Sequence, residues 1–164
     1  MIVRPMTVED LVELIDLQQA GAVVGMADVF PQEQFPFPRE AIVERWRTEI
    51  GDPSIDCLVA SDDSGRLIGF AATTGRELLH FGTAIDTWGQ GTADALLEVV
   101  VGLLRATGEV PMLRVFVDNG RARRFYEKHG WRPTGASSRS SYAPYPVLLE
   151  YVLSDVPPQA PALP

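Results

Sequence analysis

Residues 77–105 constrain the fold more than any other stretch. Glu77 to Ile85 reads as a strand, the turn Gly89-Gln90-Gly91-Thr92 comes next, and Ala93, Leu96, Leu97, Val100 and Leu104 then recur at helical spacing, with Val99, Val101 and Leu103 widening the stripe. A strand that passes through a glycine turn into a helix apolar on most of its circumference calls for a sheet with helices packed on it, an α/β (α+β) fold. Ile2 to Arg4 is a further strand candidate. Thr7, with Asp10 three positions on, resembles a capping box that starts a helix carrying Leu11, Leu14 and Ile15, a pattern loosened later by Gly21 and Gly25. Phe30, Phe35 and Phe37 stand among prolines in a loop, after which Ile42, Trp46 and Ile50 return to helical spacing. CLVAS and RLIGFAAT, separated by Asp62, Asp63, Ser64 and Gly65, form a hairpin. In the next strand alternation puts Leu79, Phe81, Thr83 and Ile85 on one side and Leu78, His80, Gly82 and Ala84 on the other, with Gly82 marking a bulge. MLRVFV reads as a buried strand, Asn119 to His129 as a short helix stopped by Gly130, and PVLLEYVL as the last strand. The predicted order is β-α-α-β-β-β-α-β-α-β.

At 164 residues the chain suits one domain, residues 1–154, followed by a disordered Pro-rich tail over 155–164, where VPPQAPALP shows no periodicity. A net charge of −8 and a pI near 4.7 argue against nucleic-acid or membrane partners. No run approaches the ~20 apolar residues of a spanning helix and the first residues lack a signal-peptide layout, so a cytoplasmic location is expected. Cys57 is the single cysteine, and with only His80 and His129 beside it no zinc cage can be assembled, so no metal is expected. Charge is uneven along the chain: residues 114–139 hold seven of the fourteen basic residues against Asp118 and Glu127. Such a segment can bind an anion when presented on a surface, and a solvated helix face explains it equally well.

Closely spaced glycines at a strand-to-helix junction let backbone N–H groups point at an anion, and the helix N-terminus adds partial positive charge. Two familiar phosphate loops do not fit. No Lys-Ser/Thr closes the turn, and Asp94 stands where a dinucleotide fingerprint wants its third glycine. The segment instead resembles the acyl-CoA loop of the GCN5-related N-acetyltransferase (GNAT) family: Arg or Gln, two residues, Gly, one residue, then Gly or Ala, at Trp88, Gly91 and Ala93. NGRARRFYEKHGW is similar to the family's later segment through Asn119, Ala122, Phe125, Tyr126, Gly130 and Trp131. The resemblance covers residues 1 to about 153. The FPQEQFPFP loop, the Trp-Gly form of the phosphate loop and the PYPVLLEYVL ending look like a bacterial branch. Trp88 replaces the usual Arg or Gln, Ile85 a common proline, and Asp94 puts a carboxylate in the first helical turn, where it is expected to face solvent.

The resemblance implies the acyl-CoA N-acyltransferase fold, a mixed, mostly antiparallel central sheet flanked by helices. It also implies acetyl-CoA as co-substrate and direct transfer of acetyl to a primary amine of a small molecule. A protein N-terminus or lysine as acceptor, or a non-catalytic acyl-CoA-binding module, are the alternatives. Carried over by resemblance, Tyr126 is the general acid, although a core tyrosine would look the same. Thr83, Ala84 and Ile85 pair with pantetheine, and the turn Trp88, Gly89, Gln90, Gly91, Thr92, Ala93 clasps the pyrophosphate. Asn119 bonds the pantetheine or the attacking group, or simply caps a helix. Arg121, Arg124 and Lys128, three and four apart, meet the 3′-phosphate or remain solvated.

A lysine-like amine has pKa ~10.4, so its free base at neutral pH costs about 4.6 kcal/mol, which makes a base more valuable than an acid for the milder thiol. Glu77 is the preferred base and His80 the rival, held back by lying on the opposite strand face. Phe30, Phe35, Phe37, Tyr142 and Tyr145 are expected to line an acceptor pocket suited to a cationic amine, with a core role or a homodimer contact as the other readings. Cys57, on an interior strand, is a poor nucleophile.

Overall fold

The computed structural model describes residues 1–154; the tail expected beyond Ser154 lies outside the described residues. In chain order the elements are β1 (Ile2–Pro5), α1 (Leu11–Gly25), α2 (Arg39–Ile50), β2 (Asp56–Ser61), β3 (Leu67–Thr74), β4 (Glu77–Thr83), α3 (Thr92–Arg105), β5 (Met112–Phe116), α4 (Gly120–Lys128), β6 (Trp131–Arg139) and β7 (Val147–Leu153). The capping box forms as expected, with Asp10 Oδ2 accepting from the Thr7 N–H at 2.8 Å. It opens a single 3₁₀ turn over Val8–Asp10 that runs into α1, and α1 continues through Gly21 to Gly25.

The seven strands lie in the order β1-β2-β3-β4-β5-β7-β6, antiparallel throughout except for β4 beside β5. This is the expected mixed, mostly antiparallel sheet flanked by helices, with one strand more than the sequence pattern suggests. The unforeseen strand is β6. Beyond Trp131 it is half-buried to exposed, and it is broken by a register shift between Pro133 and Ser137, so no apolar alternation announces it. One face of the sheet packs on α3 and α4 through Leu96, Leu97, Val100, Leu104, Tyr126 and the fully buried Trp131 and Tyr151. The other face packs on α1 and α2 through Leu11, Leu14, Ile15, Ile42 and Trp46.

Two irregularities of β4 give the middle of the sheet its shape. Ala72 stands opposite His80 while Thr73 stands opposite Leu78, so Leu79 is the extra residue of a bulge in β4. Gly82, where the bulge was expected, has another reason to be glycine: a Cβ there would come within 2.6 Å of the Phe70 ring. The second irregularity is a parting of strands. β4 and β5 pair only at Glu77↔Met112 and Leu78↔Leu113, after which β5 stays with β7 as far as Phe116↔Leu148 and β4 stays with β3.

Candidate active site

The parted strands open a cavity of about 1190 Å³. Its wall on one side is the free edge of β4. The Ala84 N–H is bonded to the Ile68 carbonyl at 2.9 Å, so antiparallel alternation turns the main-chain groups of Phe81 and Thr83 the other way, towards the opening. Within the stretch Thr83 to Ile85, the Ala84 amide is therefore already engaged. The Thr83 carbonyl is taken too, by the Trp88 indole N–H at 3.1 Å.

At one end of the cavity the glycine turn leads into α3. Gly89 has φ +78° and Gly91, the N-cap of α3, has φ +86°, conformations that L side chains rarely adopt. The N–H groups of Gly89, Gly91, Thr92, Ala93 and Asp94 find no acceptor among the described residues, and nothing stands within 4 Å of a Cβ built on either glycine. These amides sit at the positive end of a fourteen-residue helix, a ready anion cradle. Gln90 braces the turn by donating to the Asp86 carbonyl. Trp88 braces it with its side chain, lying 3.2 Å under the Arg121 guanidinium.

The basic face of α4 is only partly free. Asp94 does not simply face solvent: it accepts from Lys128 Nζ and from His129 Nε2, both at 3.0 Å, joining the start of α3 to the end of α4. The hydrogen bond from Lys128, with a smaller contribution from that of His129, holds its carboxyl below the usual range. Lys128 is thus engaged by Asp94 and Arg121 by Trp88, while Arg124 is exposed. Asn119 is the N-cap of α4, its Oδ1 accepting from the Ala122 N–H at 3.1 Å, and it also lines the cavity.

Tyr126 lies at the floor, against Phe81, Phe125 and Trp131. Its hydroxyl makes no hydrogen bond among the described residues, and burial pushes its pKa up. Glu77 is bridged by Arg114 Nη1 at 3.0 Å. The bulge at Leu79 corrects the expected facing: it shifts the alternation by one, so His80 falls on the same side as Glu77 and feels its charge. His80 packs on Trp46 and contacts Glu49 Oε1 through Nε2 at 2.9 Å. Burial lowers its pKa, so the ring is neutral near pH 7. A carboxylate can only accept, hence Nε2 carries the proton and Nδ1 keeps its lone pair.

Phe30, Phe35, Phe37 and Tyr142 line the cavity, with Phe30 edge-on to Phe116. Tyr145 does not: it is 55% exposed at φ 60° in the β6–β7 turn, pointing its carbonyl at Arg139. Cys57 is buried in β2 away from the cavity, its thiol pushed up to about 11 by burial. Sequence reasoning missed Arg45, Glu49, Arg114 and Arg139. Arg114 left a signal, a lone charge inside the apolar run MLRVFV; the others left none. No group of three or more potential metal ligands occurs among the described residues.

Residues 23–131 match the model of the Acetyltransferase (GNAT) family. The fold is similar to that of apo-form YjaB from Escherichia coli, with a TM-score of 0.73 at 19% identity, covering 93% of this chain and 98% of that one. It is similar to PaiA N-acetyltransferase from Thermoplasma acidophilum in complex with coenzyme A, with a TM-score of 0.68 at 21% identity over 91% and 96% of the two chains. Spermidine N-acetyltransferase SpeG from Vibrio cholerae aligns with a TM-score of 0.68 at 18% identity over 93% and 94%. No curated protein matches the chain.

Proposed function

The chain belongs to the acetyltransferase (GNAT) family and is an acetyl-CoA-dependent N-acetyltransferase, and on that premise we propose that it transfers acetyl directly to a primary amine of a small molecule. The observation that carries this reading is the parting of β4 from β5 past Leu78, which brings strand-edge amides, an anion cradle and titratable side chains onto one cavity. The residues fit acetyl-CoA. The amides of Gly89, Gly91, Thr92 and Ala93 would hold its pyrophosphate, with Trp88 and Gln90 bracing the turn. Thr83, Ala84 and Ile85 would border the pantetheine arm, and Asn119, Arg121 and Arg124 would flank the nucleotide. When bound, the co-substrate supplies an acyl group already activated as a thioester.

The remaining work falls to side chains. Glu77 takes the proton of the incoming ammonium, directly or through water, against the cost of about 4.6 kcal/mol at neutral pH. His80 is a second base supported by its own geometry, a neutral ring fixed through Nε2 by Glu49 with Nδ1 open. The Phe81 N–H on the β4 edge is oriented to stabilise developing charge on the thioester oxygen. Tyr126, kept protonated by burial and with its hydroxyl unengaged, donates to the departing sulfur. Phe30, Phe35, Phe37 and Tyr142 enclose the acceptor.

Calorimetry with acetyl-CoA, followed by thiol release with a panel of amines, tests the reading. Binding with turnover is expected, and binding without turnover on any amine or peptide would favour a silent acyl-CoA-binding module.

A further inference from the structure

The cavity carries charge of the opposite sign to the chain around it. The chain is −8 overall, yet the charged residues lining the cavity are Arg45, Arg114, Arg121, Arg139 and a single acid, Glu77. Glu77 is already matched by Arg114 at 3.0 Å, and Arg121 lies over Trp88 at the turn end. Arg139 donates through Nη1 to the Tyr145 carbonyl and has no carboxylate partner among the described residues.

Arg45, on α2, is the informative one. Its Nε and Nη2 are buried and make no hydrogen bond; its ion-pair partner Glu49 stands off at 3.8 Å, with Oε1 already in contact with His80 and Oε2 buried and unpartnered. Nε and Nη2 form one edge of the guanidinium, the fork that takes both oxygens of a carboxylate. Buried donors without acceptors are costly, and a ligand that supplies the acceptor recovers that cost. A polyamine entering here would find the one lining acid, Glu77, already paired with Arg114, and would meet Arg139, which has no carboxylate partner among the described residues.

We infer that the acceptor is an amine that also bears a carboxylate, an amino-acid-like compound, with Arg45 and Arg139 receiving its anionic end while its amine reaches Glu77 and His80. This rests on the acetyl-transfer reading and departs from the expectation of a simply cationic amine: apart from Glu77, no acidic residue lines the cavity.

The test uses the full chain with acetyl-CoA and a panel of amino acids, each beside its carboxamide, with spermidine as cationic comparator, followed by thiol release. The expected kcat/KM for the preferred acid is roughly tenfold or more above that of its amide, and Arg45→Gln narrows that ratio, mainly through KM. Equal or better use of the amide, or preference for spermidine, overturns the inference. So does binding of acetyl-CoA with turnover only of amines that lack a carboxylate. Failure to bind acetyl-CoA at all would instead sink the acetyl-transfer reading. Should Arg45→Gln fail to fold, the acid-to-amide ratio of the native chain still decides.

Discussion

At the turn end of the cavity the chain offers main chain; at the end proposed for the acceptor it offers side chains. The five unengaged amides from Gly89 to Asp94 belong to one continuous segment, and the side chains around them brace the backbone or one another, as Trp88 does with Arg121 and Asp94 with Lys128. The acceptor end draws Arg45 from α2, Glu77 and His80 from β4, Arg114 from β5, Arg139 from β6 and Tyr142 from the turn after it. A site of the first kind needs only the right φ angles and a helix behind them. A site of the second kind depends on several elements meeting, so acceptor choice can change without disturbing the carrier.

That contrast can be broken most severely at the point where the two ends meet. Tyr126→Phe should lower kcat by about 10²-fold, the usual worth of a positioned acid, while leaving acetyl-CoA affinity and acceptor KM near their native values; steady-state kinetics beside calorimetry checks this, and an unchanged kcat would return Tyr126 to a purely core role. Gly91→Val should act on the turn end alone. A β-branched residue held at φ near +86° carries strain of about 1–2 kcal/mol, enough to weaken acetyl-CoA roughly tenfold with little effect on acceptor KM.

The acceptor end should announce itself through pH. Burial holds His80 below its ordinary value, so on acidification the unfolded chain binds a proton that the folded chain does not. Stability is then complete above about pH 6.5 and falls as pH drops through that value towards the folded pKa. Thermal melts of His80→Asn should show a shallower loss between pH 7 and pH 5; an unaltered slope would mean that His80 is not buried neutral. The smallest effect is expected at Lys128. Because Asp94 engages its ammonium, Lys128→Ala should change acetyl-CoA affinity less than about twofold and stability by under about 1 kcal/mol.

The same contrast explains how much could be read from the sequence. The turn end was legible because a left-handed φ demands glycine and a helix start demands orphan amides, both local properties of Gly89 to Ala93. The α3 stripe was legible for the same kind of reason. The acceptor end was not, since the bulge at Leu79 leaves no residue signature, and a one-residue shift moved His80 from the far face to the side of Glu77. Tyr145 looked like a pocket wall by type and proximity to Tyr142, but its left-handed backbone turns it out to solvent. β6 was hidden because a strand that lies exposed past its first residues carries no apolar period.

The backbone cradle can be probed atom by atom by following amide resonances during titration with acetyl-CoA. The largest shifts should fall on Gly89, Gly91, Thr92, Ala93 and Asp94, with a second group at Phe81 and Thr83 on the β4 edge, and Gly91→Val should attenuate the first group. Saturating binding that leaves these amides unmoved, with shifts gathered on another surface, would contradict the assignment of the turn as the carrier's anion site.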